Sequence, residues 1–92
     1  MKTMVMWSAK PGAVRDAVKR FLATQGAPPA GLTILGRWHS VDLSAGFTLY
    51  EYTDPAALYE GAAQWSDLLD LKNYIVVEDA QAAPVLAKVY GA

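Results

Sequence analysis

Apolar and polar positions change rhythm several times along this chain. Met4, Val5, Met6 and Trp7 are apolar at consecutive positions, so Lys2 to Ala9 reads as a strand buried on both faces. Lys10-Pro11-Gly12 then turns the chain, and Pro11 suits a first helical turn. From Ala13 to Gln25 the period lengthens. Val14, Val18, Phe21 and Leu22 recur at helical spacing, while Arg15, Asp16, Lys19 and Arg20 fall elsewhere on the wheel, which predicts an amphipathic helix. Gly26 is its expected C-cap, and the glycine- and proline-rich stretch from Gly26 to Gly31 cannot continue it.

Leu32 to His39 reads as a second strand, apolar at first and ending in Arg37, Trp38 and His39. Ser40 to Gly46 is a hairpin connection. Gly46 to Tyr52 alternates Phe47, Leu49 and Glu51 against Thr48, Tyr50 and Tyr52, the period of a third strand. A second helix is predicted from Asp54 as N-cap and Pro55 as first helical residue, extending through the "QWSDLLD" stretch to Asp70, with Leu58, Ala62, Trp65 and Leu69 as its buried stripe. Lys72 to Glu78 is the predicted fourth strand, and Asp79 to Tyr90 a short helix interrupted or started by Pro84. The order strand, helix, strand, strand, helix, strand is that of the α+β, ferredoxin-like class: a four-stranded antiparallel sheet with both helices on one face, plus a short C-terminal helix. The strands carry apolar residues on both parities, so the second sheet face needs a cover. A second copy of the same sheet is the cheapest one, and a homodimer is expected.

Composition narrows the chemistry. A chain of 92 residues is expected to form one domain, residues 1–92, with a modest core. No cysteine and a single histidine leave no disulfide, no thiolate nucleophile and no metal-ligand set, and no cofactor is expected. The chain is 53% hydrophobic and 18% charged with a net charge of -1, so it lacks the cationic excess that phosphate neutralisation requires, and no nucleic-acid partner is expected. The third strand loosely mimics the glycine-and-aromatic strand of RNA-recognition modules, but Ala45 stands where those carry a base, and Glu51 adds a negative charge. No window reaches the ~18 apolar residues of a membrane span, and the apolar run before Ser8 is too short for a signal peptide. A soluble, cytoplasmic protein with no membrane partner is expected.

Several stretches carry a family resemblance: "MVMWSAKPG", the double proline before "GLTILGRWHS", the "GF" strand ending at Glu51, and "QWSDLLD". The chain resembles the dimeric α+β barrel superfamily, in which two ferredoxin-like subunits press their sheets together. More narrowly, it resembles a small bacterial family known as a domain of unknown function (number 3303). The superfamily includes cofactor-independent quinol monooxygenases, haem-degrading enzymes, lactone isomerases and purely binding members, whose ligands usually sit between sheet and helices. Several monooxygenase members place a tryptophan on the second helix, and Trp65 is similar in position. The asparagine that often accompanies it is not evident, since Asn73 lies at the start of the fourth strand. The haem-degrading members use a helical histidine, which this chain lacks, so haem is not an expected ligand.

The candidate catalytic residues are His39, Arg37 and Glu51. An imidazole titrates near neutrality and serves as a general base or ligand-orienting group. A guanidinium anchors an anionic or phenolate group. If Arg37 pairs with Leu49, then Arg37, His39 and Glu51 share one sheet face; a slip of one residue sends Glu51 to the other. Trp7, Trp38, Tyr50 and Trp65 are the candidate ligand-binding aromatics, with core and interface filling as their alternative role. Trp38 has the opposite parity to His39. Two functions stay open. One is a pocket for apolar, ring-shaped molecules, as in a cofactor-independent monooxygenase, isomerase or cyclase, with His39 moving a proton, Arg37 and Glu51 positioning it, and Trp7 and Trp65 sandwiching the ring. The other is a non-catalytic ligand-binding or interaction module, in which the polar cluster only fixes strand register.

Overall fold

The computed structural model describes residues 1–91. Its elements run β1 (Lys2–Ala9), α1 (Val14–Thr24), β2 (Leu32–His39), β3 (Gly46–Tyr52), α2 (Pro55–Trp65), β4 (Leu69–Val76) and α3 (Asp79–Tyr90). The four strands form one antiparallel sheet in the order β2-β3-β1-β4. This is the ferredoxin-like arrangement that the apolar periods predict, with α1 and α2 on one face and a C-terminal helix added.

Local chemistry sets most boundaries. Asp54 is the N-cap of α2, its carboxylate accepting the Ala56 N–H at 2.9 Å, with Pro55 in the first turn. The helix α1 ends on Gln25 in the left-handed region, one residue before the glycine expected to stop it. Two boundaries differ from the sequence reading. The helix α2 stops at Trp65, and Leu69, expected on its buried stripe, is instead the first residue of β4. There the side chains have a period of two: Leu69 is buried and Leu71 half-buried, while Asp70 and Lys72 are exposed. Pairing of Leu69 with Ala9, the bond from Lys10 N–H to Leu68 O at 2.9 Å and the ion pair of Lys10 with Asp70 at 2.8 Å zip this end to β1. At the other end, Glu78 is not strand: it is the N-cap of α3, and Gln81 accepts its backbone N–H at 3.2 Å. The helix α3 starts at Asp79 and runs through Pro84 without interruption, losing the one backbone bond that the proline cannot donate.

The core is small and lies at one end of the helix–sheet layer. Leu32, Tyr52 and Ala57 form its buried cluster, with Tyr50 and Leu58 packed against it. No residue of α1 or α3 is buried. On the sheet face away from α1 and α2, Met4, Met6 and Leu49 are half-buried, while Trp38, Phe47 and Tyr74 are exposed. Val85, Leu86, Val89 and Tyr90 of α3 are exposed too. Among the described residues no helix is long and apolar enough to cross a membrane.

Candidate functional site: a cavity between helices and sheet

Beyond the core the helices stand off the sheet and leave a cavity of about 180 Å³ that begins at Leu32, Tyr50 and Leu58. Its floor is the inward face of the sheet: Val5, Trp7 and Ala9 of β1, Leu32, Arg37 and His39 of β2, Thr48 and Tyr50 of β3, and Leu69, Leu71 and Asn73 of β4. Its roof is the apolar stripe of α1 (Val14, Ala17, Val18 and Phe21) with Leu58, Gly61, Ala62 and Trp65 of α2. Pro28 and Pro29 wall one side, and Leu43 reaches in from the β2–β3 hairpin. The amphipathic pattern of α1 therefore points at empty space rather than at a packed interior.

A β-bulge decides what β2 contributes. Leu32 and Ile34 pair with Tyr52 and Tyr50, the register slips at Leu35, and Gly36 then pairs with Leu49 and Arg37 with Thr48. The extra residue flips the parity of everything after it. Arg37 and His39 thus join Leu32 on the inward face, although the plain two-residue period would have separated them. The same slip dissolves the predicted Arg37–His39–Glu51 cluster. Glu51 pairs with Lys2 and Thr33, on the face away from the cavity. Trp38 is also outside the cavity: it faces outward, and its indole folds over Gly36, where a Cβ would stand 2.4 Å from the ring. Of the candidate site residues, the cavity gathers His39, Arg37, Trp7, Tyr50 and Trp65.

At the open end the His39 ring lies edge-on between two aromatics, 5.3 Å from Trp7 and 5.4 Å from Phe21 between centroids, each at 75°. Among the described residues its imidazole makes no hydrogen bond or ion pair. Trp7 is fixed from both sides. Its indole N–H donates to Thr48 Oγ1 at 3.3 Å, and its ring covers Gly46, where a Cβ would lie 1.8 Å from Cζ2. Only glycine fits beneath it. Phe21 and Gly46 were not among the sequence candidates; the signal for Gly46 was a glycine opening an otherwise aromatic strand.

Two arginines border the roof aromatics and differ in what holds them. Arg20 lies 5.4 Å from the Trp65 ring centre and donates to both oxygens of Asp67, at 2.8 and 2.7 Å, and to Gln64 O at 2.8 Å. The guanidinium holds the Asp67 carboxyl below the usual carboxylate range. Arg37 lies 5.6 Å from the Phe21 ring centre and donates to Gly26 O at 2.7 Å and to Gln25 O at 3.4 Å. In the hairpin, hydrogen bonds from Ser44 and Ser40 push the Asp42 carboxyl down to about 2 and order the loop that carries Leu43. Among the described residues no group of three or more histidine or acidic side chains could hold a metal ion.

A family model described as "Domain of unknown function (DUF3303)" matches residues 1–90. No curated protein is significantly similar to the chain. Among solved structures, the crystal structure of PA3566 from Pseudomonas aeruginosa is 15% identical, covering 84% of this chain and 94% of that one, with a TM-score of 0.48. The structure of Rv0793 from Mycobacterium tuberculosis is 17% identical, covering 87% of this chain and 99% of that one, also with a TM-score of 0.48.

Proposed function

Because the chain belongs to the family described as Domain of unknown function (DUF3303), a description without an activity, function has to be read from the cavity, and we propose that it binds a small, single-ring molecule between helices and sheet. The observation that carries this reading is an unfilled space of about 180 Å³ walled by Trp7, Phe21 and Trp65. An apolar cavity of about 150 Å³ is enough to take up benzene. Flat aromatic walls with few polar groups are the usual make-up of such sites. Titration with benzyl alcohol, followed by tryptophan fluorescence and by NMR shifts, tests it. Shifts should cluster on Trp7, Phe21, His39 and Trp65. Shifts confined to the open sheet face, or none at millimolar probe, would overturn the reading.

A second reading, proton transfer by His39 in a cofactor-independent enzyme, is favoured by one observation: its imidazole borders the cavity and, among the described residues, has no hydrogen-bond partner. Glu51 takes no part in it, since that carboxylate lies on the far side of the sheet.

The reading includes a second copy of the chain on the open sheet face. Met4, Met6, Leu49, Phe47, Trp38 and Tyr74 on that face support it, as does the small size of the core. The dimer should bury on the order of 2,000 Å². Light scattering that gives a stable monomer at micromolar concentration would refute it.

A further inference from the structure

Resting on the ring-binding reading above, we infer that the ligand is a ring-bearing carboxylate whose anionic head is held by Arg37. The chain has nine acidic residues, and none of them lines the cavity. Of its eight lysines and arginines, Arg37 alone does. A protein of net charge -1 therefore keeps a cavity whose only fixed charge, among the described residues, is positive.

The partners of Arg37 are incomplete in a specific way. Arg20 shows what a satisfied arginine looks like in this molecule: an aromatic face, a backbone carbonyl and a two-pronged carboxylate. Arg37 has the aromatic face and the carbonyls, but among the described residues no carboxylate. Two of its five N–H donors are used, which leaves three. The group is also held in place. It is pressed against the chain at Gly26, where a Cβ would lie 2.5 Å from Nη1, so the guanidinium is pre-positioned rather than free to swing into water. Asp42, in the nearby hairpin, is engaged by Ser40 and Ser44. A half-buried cation without a counter-ion is costly, and a ligand carboxylate matches the planar fork of a guanidinium. The aromatic walls beside it would take the ring that carries this carboxylate.

The competing role for Arg37 is a strut. α1 has no basic residue in its last turn, and the guanidinium supplies a positive charge to the carbonyls there. A strut alone would not discriminate between charged and neutral ligands. The test is therefore a fluorescence titration with benzoate and with benzamide, rings of matched shape that differ in charge. Wild type should bind benzoate about tenfold or more tighter than benzamide. R37M should lose that preference, and R37K should keep part of it because the charge remains. Should R37M fail to fold, wild type and R37K decide. Equal binding of both probes, or tighter benzamide, would overturn the inference and leave the ring pocket standing. No binding of either probe at millimolar concentration would overturn both.

Discussion

The two ends of the helix–sheet layer both turn apolar and aromatic side chains inward and do opposite things. At one end Leu32, Tyr52 and Ala57 close on one another, and Tyr52 is only 2% exposed. At the other, Trp7, Phe21 and His39 bring three rings to the layer but surround a space instead of filling it. Packing density separates the two. A filled core stabilises through burial and close contact, whereas an unfilled one gives that up in the empty protein and recovers it when a ligand enters. Stability should therefore reside at the Tyr52 end, and ligand response at the Trp7 end.

The largest effect that would sharpen this division is Leu32→Ala. Truncating a buried leucine in the small closed cluster should cost about 2–5 kcal/mol in denaturant unfolding; a loss below 1 kcal/mol would mean that the two ends are not distinct. Next is Gly46→Ala. A methyl group there would displace the Trp7 ring, with a stability loss of about 1–3 kcal/mol and a marked change in tryptophan emission. It should abolish binding of ring probes. Asp54→Ala removes one cap bond of α2 and should cost about 1 kcal/mol, with probe affinity unchanged. The smallest stability change is expected at His39→Ala, under about 0.5 kcal/mol, since the side chain is exposed and makes no hydrogen bond among the described residues. Probe binding should nevertheless weaken, while Glu51→Gln should leave it as in wild type. If His39→Ala destabilised the fold as much as Leu32→Ala, the comparison would break.

Much of the architecture was legible from periodicity because each period agreed with its punctuation. The Asp54–Pro55 start of α2 and the glycine- and proline-rich stretch after α1 are cases where local chemistry and tertiary structure coincide. Legibility failed where local signals pointed two ways. The segment from Ser66 to Asp70 continues a helical stripe on paper, yet pairing with β1 gives Leu69 a partner and Asp70 the Lys10 ammonium, and those long-range contacts decide. For the site, the aromatics that line it could be named from residue type. The face on which each lies could not, because the register of β2 against β3 follows from a bulge. Gly36 was the one visible hint, a glycine inside a strand. Glu51 and Trp38 were misplaced for that single reason.

The bulge at Leu35 makes chain length, rather than any side chain, the determinant of which side of the sheet owns the cation. Two chains could share "GRWHS" letter for letter, differ by one residue just upstream, and carry their arginine and histidine on opposite surfaces. In one they would meet a small molecule; in the other they would meet whatever covers the open face. Residue identity downstream of position 35 is therefore comparable between relatives only when the residue count through the bulge is the same. A single-codon deletion there would move the arginine and the histidine to the other side of the sheet, away from the aromatic walls, without altering either residue.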